Sequence, residues 1–255
     1  MSALVEVRDE GVVRWLTLNR PDVRNALSAE LVDALVAELQ GAAASEARCV
    51  ALTGAGTVFS AGADLKAINS GDAARLNTAR GGFAGFVYRE RDKPVIVAVD
   101  GLATAGGCEI VLAADLVVAT TQSAFGLAEV KRNLIAGAGG LFRLPRAIGQ
   151  AAAMEAILTG EPIPAQRAFD LGLVSRLVEP GQATDEAFRL AAQINASAPL
   201  AVRASRKVVL AAQYEDDETL KQMTNEQFGG VLRSSDTKEG LEAFIEKRAP
   251  NWRAR

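Results

Sequence analysis

Two glutamates, each close to a glycine-rich stretch, are the residues whose types and setting suggest chemistry. Glu109 lies in AGGCEIVLAAD (105–115), where a glycine pair leads into an apolar run, and Glu129 lies in GLAEVKRNLIAGAGG (126–140). Because an ionised carboxylate is costly to bury, a glutamate at the edge of a core needs a reason. Taken singly, Glu109 has a simpler interpretation as a helix N-terminal charge, and Glu129 as a solvated loop carboxylate.

The chain contains no histidine. This excludes histidine metal ligands, Ser-His-Asp triads and Cys-His dyads, so proton transfer near neutral pH must fall to carboxylates, lysine, tyrosine or cysteine. Cys108 directly precedes Glu109, but no base nearby would activate it as a nucleophile. Asp64 and Asp115 are interpreted as structural.

A third glycine-bearing loop, TGAGTVFSAGADLK (53–66), follows a strand-like run and invites comparison with dinucleotide-binding loops. Counted from Gly54, the third required glycine falls on Phe59, so the dinucleotide fingerprint fails. No Walker-type GK[ST] sequence occurs either. On its own, the loop is most simply a flexible turn after a strand.

The elements that must position these loops alternate between strands and helices. Strands are predicted at residues 4–8, 12–18, 48–53, 95–99 and 116–119. Helices are predicted after the N-cap Ser28, which precedes a leucine stripe, and at 83–87 and 107–114. This alternation indicates an α/β domain with largely parallel pairing, and the apolar run 48–53 is typical of a strand covered on both faces.

The C-terminal part of the chain has a different character. From residue 137 onward helical patterns follow one another, with one short strand in LVSRLV (173–178), and four more helical stretches fill 182–247. Pro180-Gly181 is the predicted joint between an α/β body, residues 1–180, and a helical C-terminal region, residues 181–255.

Taken together, five segments resemble the enoyl-CoA hydratase/isomerase family, also called the crotonases, in both order and spacing. They are NRPDVRNAL (19–27), FSAGADLK (59–66), PVIVAVDGLATAGGCE (94–109), FGLAEVKRNLIAGAGG (125–140) and LTGEPIPAQRAFDLGLV (158–174). The resemblance spans nearly the whole chain. It implies an α/β fold built as a spiral of ββα units, with a helical C-terminal trimerisation region, in a homotrimer or a dimer of trimers.

The resemblance also implies an acyl-CoA thioester substrate, whose carbonyl oxygen is held by the N–H groups of Ala63 and Gly106 as it takes up charge. The start of a predicted helix suits Gly106, because free N–H groups and the positive dipole end favour an anion there. Glu109 would help take a proton from water, and Glu129 would deliver one to Cα. The implied substrate-binding residues are Ala63, Asp64, Leu65, Lys66 and Gly106. No metal is implied, and no cofactor beyond the CoA of the substrate.

The predicted reaction is the reversible hydration of a trans-2-enoyl-CoA to a 3-hydroxyacyl-CoA. Within the family the alternatives are an enoyl-CoA isomerase and a carnitinyl-CoA-type dehydratase, since AFIEKRAPNWRAR (243–255) resembles branches that act on carnitinyl-CoA or bulky steroid acyl-CoA. Ala105 also departs from the family motif, which has a glycine there. From other classes, the failed glycine fingerprint disfavours an NAD(P)-dependent oxidoreductase. The presence of both glutamates disfavours a catalytically idle acyl-CoA-binding scaffold.

Composition narrows the partners and the compartment. The 255 residues carry a net charge of −3, which offers no basic field to nucleic acid or an anionic membrane. Cys49 and Cys108 are too few for a disulfide framework, and no leader peptide or membrane span is recognisable. We therefore expect a cytoplasmic protein without nucleic-acid or membrane partners.

Overall fold

The computed structural model describes residues 2–69 and 71–254, which form layers of helices around a large and a small sheet. The strands are β1 Val5–Glu10, β2 Val13–Leu18, β3 Cys49–Gly54, β4 Val58–Ser60, β5 Asn77–Thr78, β6 Gly82–Phe83, β7 Val95–Val99, β8 Leu102–Thr104, β9 Leu116–Thr120, β10 Ala124–Gly126, β11 Ile163–Pro164 and β12 Arg176–Val178. The helices are α1 Ala29–Ala44, α2 Leu65–Asn69, α3 Gly106–Leu112, α4 Gly140–Ile148, α5 Gln150–Thr159, α6 Ala165–Asp170, α7 Ala183–Asn195, α8 Pro199–Ala211, α9 Asp217–Leu232 and α10 Ser235–Glu246.

The chain spirals through repeated ββα units. The large sheet has the order β1–β2–β3–β7–β9–β12, and the small sheet has the order β11–β10–β8–β4. β3, β7 and β9 pair in parallel in the large sheet, and the strand that follows each of them joins the small sheet. α2 follows β4, α3 follows β8, and a 3₁₀ turn at Glu129–Arg132 follows β10. The predicted α/β class and ββα spiral are therefore confirmed.

The inner strands of the large sheet, β3, β7 and β9, are buried on both faces. Along β3, Val50 and Leu52 belong to the main core with α1, whereas Cys49 and Ala51 face a second apolar cluster with α7. This alternation follows from the period of two in a strand, and it confirms the prediction of a strand covered on both sides. The predicted cap of α1 is also confirmed, because the Ser28 hydroxyl accepts a hydrogen bond from the Leu31 N–H.

The helix predicted at 83–87 is wrong. This segment holds β6, paired antiparallel with β5, followed by turns. Gly82, Ala84 and Gly85 have positive φ angles of 63°, 55° and 62°, which a right-handed helix does not allow. The apolar side chains of Phe83, Phe86 and Val87 are buried as predicted, but turns place them there rather than a helix.

The helical C-terminal region contains α7 to α10, as the sequence predicts. Ala183, Ala187, Leu190 and Ala191 of α7 pack on the outer face of the large sheet. The division of the chain at residue 180 stays a prediction. Among the described residues, no helix combines the length and apolarity that crossing a membrane requires.

Candidate active site

The small sheet brings three predicted site segments to one edge. Ala63 comes three residues after the end of β4, Gly106 two after β8, and Glu129 three after β10. β8 pairs in parallel with both β4 and β10, so the carboxyl ends of these strands lie side by side. The loops touch, since a Cβ on Gly62 would lie 2.7 Å from the Gly106 nitrogen. Neighbouring strands thus position residues that are far apart in sequence.

The N–H groups of Ala63 and Gly106 are not used by the backbone pairing or the helix to which each residue belongs. Leu27 donates to the Gly62 carbonyl (2.8 Å) and accepts from the Asp64 N–H (3.0 Å), so the intervening Ala63 N–H points to the other side. Gly106 is the first residue of α3, and its N–H has no acceptor within that helix. The geometry fits the predicted pair of oxyanion donors, whose role stays a prediction.

Phe83 and Ala105 shape the start of α3. A Cβ on Gly106 would lie 2.3 Å from Cε1 of the buried Phe83 ring, so glycine is needed for this close approach. Ala105, which replaces a glycine of the family motif, has φ 50° and ψ −129°, a conformation that residues with a Cβ rarely adopt. Its N–H donates to the Gly126 carbonyl and its own carbonyl accepts from the Glu109 N–H. The loop therefore keeps a glycine-like path despite the alanine.

Glu109 is buried in α3, with 3% of its surface exposed. One carboxylate oxygen, Oε1, accepts hydrogen bonds from the N–H groups of Ala138 (2.6 Å) and Gly140 (3.0 Å). Burial raises the pKa of Glu109, while these two N–H groups and the Arg143 guanidinium act in the opposite direction. This answers why a glutamate enters the core here: the start of α4 supplies donors for its negative charge.

Glu129 is half-buried at the start of its 3₁₀ turn. Its Oε2 is shielded from solvent and has no hydrogen-bond partner among the described residues. Burial raises the pKa of Glu129, and the negative charge of Glu109 raises it further, against its own backbone N–H and Arg132. The two carboxyl groups are therefore close enough to interact, yet only Glu109 Oε1 is held by backbone donors from α4 and its preceding loop.

The remaining predicted residues lie next to Ala63. Asp64 pairs with Arg20 (3.2 Å) and accepts from the Lys66 N–H, and its part in substrate binding stays a prediction. Leu65 is 59% exposed and the Lys66 side chain is exposed as well, so both are accessible to a substrate from solvent. Burial raises the pKa of the Cys108 thiol, which therefore stays protonated near neutral pH.

Asn25 is a residue whose role the sequence did not reveal. It is fully buried with φ 52°, and its amide donates to the carbonyls of Ala55 (2.8 Å) and Val58 (2.7 Å). Its backbone carbonyl accepts from the Ser60 hydroxyl, which in turn accepts from the Gly62 N–H. Asn25 thereby fixes the loop that carries Ala63. The only sequence signal for Asn25 is its position in the motif NRPDVRNAL. Its hydrogen bonds reach loops that are distant in sequence, so the motif alone does not reveal them.

A cleft of about 1300 Å³ lies between residues 87–92, α4 and α8–α9. Arg143 and Arg146 are among the basic side chains that line it, but Glu109 and Glu129 do not. The two glutamates belong instead to the loop cluster at the edge of the small sheet, which is the candidate site, and Arg143 lies between this cluster and the cleft.

The fold and the site define a class: a ββα spiral protein with two interacting glutamates beside backbone donors at a helix N-terminus. Residues 8–255 match the family model described as Enoyl-CoA hydratase/isomerase. The chain belongs to the enoyl-CoA hydratase/isomerase family, an enzyme class, as the resemblance of its motifs predicted.

Individual relatives cover the whole chain. It is 37% identical to carnitinyl-CoA dehydratase of Salmonella typhi, over 100% of both proteins. The crystal structure of an enoyl-CoA hydratase from Mycobacterium tuberculosis H37Rv is 42% identical, with a TM-score of 0.95 over 99% of both chains. A probable enoyl-CoA hydratase/isomerase from Mycobacterium abscessus is also 42% identical, with a TM-score of 0.93 over 100% of both chains.

Proposed function

We propose that this protein reversibly adds water to a trans-2-enoyl-CoA thioester and forms the 3-hydroxyacyl-CoA. The observation that carries the proposal is the unequal environment of the two glutamates. Oε1 of Glu109 has two backbone donors, which favour its ionised form, whereas Oε2 of Glu129 is buried without a partner. A coupled pair of this kind holds one carboxylate as base and the other carboxyl group as acid.

The proposed reaction adds one water across the C2–C3 double bond. The thioester oxygen accepts from the Ala63 and Gly106 N–H groups. Water attacks C3 while Glu109 takes one of its protons, and the electron pair of the double bond moves to form the enolate. Glu129 then delivers its proton to C2, which restores the carbonyl, and the two glutamates exchange protonation states. Preorganised oxyanion donors of this type contribute about 10²–10³ each to kcat.

The second candidate is the dehydration of carnitinyl-CoA. It is favoured by the full-length identity of 37% to carnitinyl-CoA dehydratase of Salmonella typhi. The same glutamates would act in reverse, with Glu129 removing the C2 proton and Glu109 protonating the departing hydroxyl. This substrate carries a quaternary ammonium, which proteins commonly bind on aromatic faces, whereas an enoyl chain needs only apolar contact.

A substrate panel distinguishes these reactions. Short, medium, branched and steroid-like trans-2-enoyl-CoA esters, a 3-enoyl-CoA and carnitinyl-CoA should be compared by absorbance of the conjugated thioester and by product mass. We expect the highest kcat/KM for hydration of a trans-2-enoyl-CoA. Faster turnover of carnitinyl-CoA would favour the second candidate. Binding of CoA esters without any turnover would contradict both and support an idle scaffold.

A further inference from the structure

We propose that Arg143 is a positioning residue, whose guanidinium holds the loop before α4 so that its N–H groups stay aimed at Glu109. Arg143 lies in the first turn of α4 and donates to the backbone carbonyls of Ala138 (3.1 Å) and Val87 (2.5 Å). It therefore joins two segments that are about fifty residues apart in sequence. Its assignment to Glu109 rests on the proposed function of that glutamate as the base.

Ala138 is held from both sides. Its carbonyl accepts from Arg143, and its N–H donates to Oε1 of Glu109 at 2.6 Å. The second donor to the same oxygen, Gly140, is the residue that begins α4. Gly139, the residue between these two donors, has φ 102°, so the backbone here is not helical and needs support other than regular helix hydrogen bonds. Arg143 supplies that support through a charge-assisted bond, which is stronger than a neutral one.

The bond to Val87 links the same guanidinium to the start of α3. Val87 lies in the turns after Phe83 and donates its N–H to the Phe83 carbonyl (3.3 Å), and the Phe83 ring packs on Gly106. Arg143 thus connects the loop whose N–H groups bond Glu109 to the segment that packs against Gly106, the proposed oxyanion donor. The guanidinium lies over the rings of Tyr88 (5.1 Å) and Phe142 (5.2 Å), which fix its place at the wall of the cleft.

Several charged or titratable groups surround Arg143 and Glu109. Arg143 lies near Glu109 and opposes the rise in its pKa, and Glu109 in turn raises the pKa of Glu129. The other groups are Cys108 beside Glu109, Arg132 near Glu129, and Tyr88, Arg91 and Arg146 near Arg143. Burial holds the pKa of Arg143 below its usual range, but arginine stays charged near neutral pH. Removal of Arg143 therefore raises the pKa of Glu109.

The kinetic test compares Arg143→Met, Arg143→Lys and Arg146→Met with the wild type. Arg146 is the matched control, because it lies one turn along α4 over the same Phe142 ring, and it is exposed. We expect Arg143→Met to lower kcat about 10-fold to 10²-fold, as a displaced catalytic group does. The acidic limb of its kcat/KM profile should move to higher pH, since an ionised Glu109 is required. Arg143→Lys should return the acidic limb part of the way to its wild-type pH, and Arg146→Met should leave the limb at its wild-type pH. A folded Arg143→Met enzyme with an unmoved limb would overturn the proposal.

A second readout does not depend on hydration. The loss of unfolding free energy on Arg143→Met should grow as pH rises above the usual glutamate range, because the ionised Glu109 carboxylate then lacks the support of Arg143. In a Glu109→Gln background this pH dependence should vanish. The same pH dependence in both backgrounds would show that Arg143 does not act through Glu109. If the wild type hydrates no enoyl-CoA, the proposed function fails, while this cycle still decides the role of Arg143.

Discussion

At the scale of single residues, the burial of the Glu129 carboxyl group carries a cost in stability. Burial raises the pKa of its carboxyl group above the value in the unfolded chain, and its Oε2 has no donor among the described residues. The folded state is therefore progressively disfavoured as pH rises from the pKa of the unfolded chain to the raised pKa, because the unfolded chain ionises first, and the penalty is complete above the raised pKa. Below the pKa of the unfolded chain this penalty disappears.

We predict that Glu129→Gln raises the melting temperature at pH 8 by about 2–4 °C, the shift that ~1 kcal/mol gives in a chain of this size. Near pH 4 the variant and the wild type should melt much closer together. Glu155→Gln is a control of opposite sign, since a hydrogen bond to Arg167 lowers the pKa of Glu155. Thermal unfolding followed by circular dichroism at both pH values measures this. A Glu129→Gln variant less stable than the wild type at pH 8 would refute the argument.

The sequence predicted the two glutamates and the donor positions Ala63 and Gly106, because each lies in a recognisable glycine motif. It did not predict the roles of Phe83 or Asn25. Their contacts with Gly106 and with the loop after β3 cross between segments, and no local pattern records them. At this scale, the sequence predicts the chemical groups that lie in local motifs. The contacts that support these groups can be identified only in the folded structure.

At the scale of elements, the start of α3 is fitted closely against the β6 segment. We predict that Gly106→Ala lowers kcat about 10²-fold, because its Cβ would lie 2.3 Å from Phe83 Cε1 and must displace either the ring or the donor. Overpacking should also lower the unfolding free energy by about 1–3 kcal/mol. The double variant Gly106→Ala/Phe83→Leu makes room and should recover part of both losses. Urea unfolding and kcat are measured for the wild type and these two variants, and wild-type kcat in Gly106→Ala alone would contradict the prediction.

The same region shows why element prediction failed at 83–87. Phe83, Phe86 and Val87 have the spacing of a helix face, but Gly82 and Gly85 allow positive φ angles that replace the helix with turns. The order β10–β8–β4 was equally hidden, since pairing between short strands depends on the whole sheet. Strands β7 and β9, with continuous apolar runs, were predicted almost to their ends.

At the scale of the whole molecule, α9 and α10 present an apolar surface to solvent. Phe228, Leu232, Leu241, Phe244 and Ile245 are 53–84% exposed. Exposed apolar groups of this extent are typical of an association surface. The predicted homotrimer or dimer of trimers therefore stays open to a direct test.

We predict a mass of three or six times the 26.7 kDa chain in sedimentation analysis. Phe244→Glu should shift the distribution to smaller species, because a charge is costly at a covered apolar contact. Val7→Glu, at an exposed position of β1, is the control and should leave the mass unchanged. A monomeric wild type across the measurable concentration range would refute this prediction.

The central claim is that Glu109 and Glu129 act on one water, and a double-mutant cycle in kcat tests it most directly. On the best substrate of the panel, Glu109→Gln and Glu129→Gln should each lower kcat by about 10²–10⁴, the scale of a positioned acid or base. Because the two groups work as a unit, the double variant should lose far less than the product of the single losses. A single variant with wild-type kcat, or losses that multiply fully, would contradict the account.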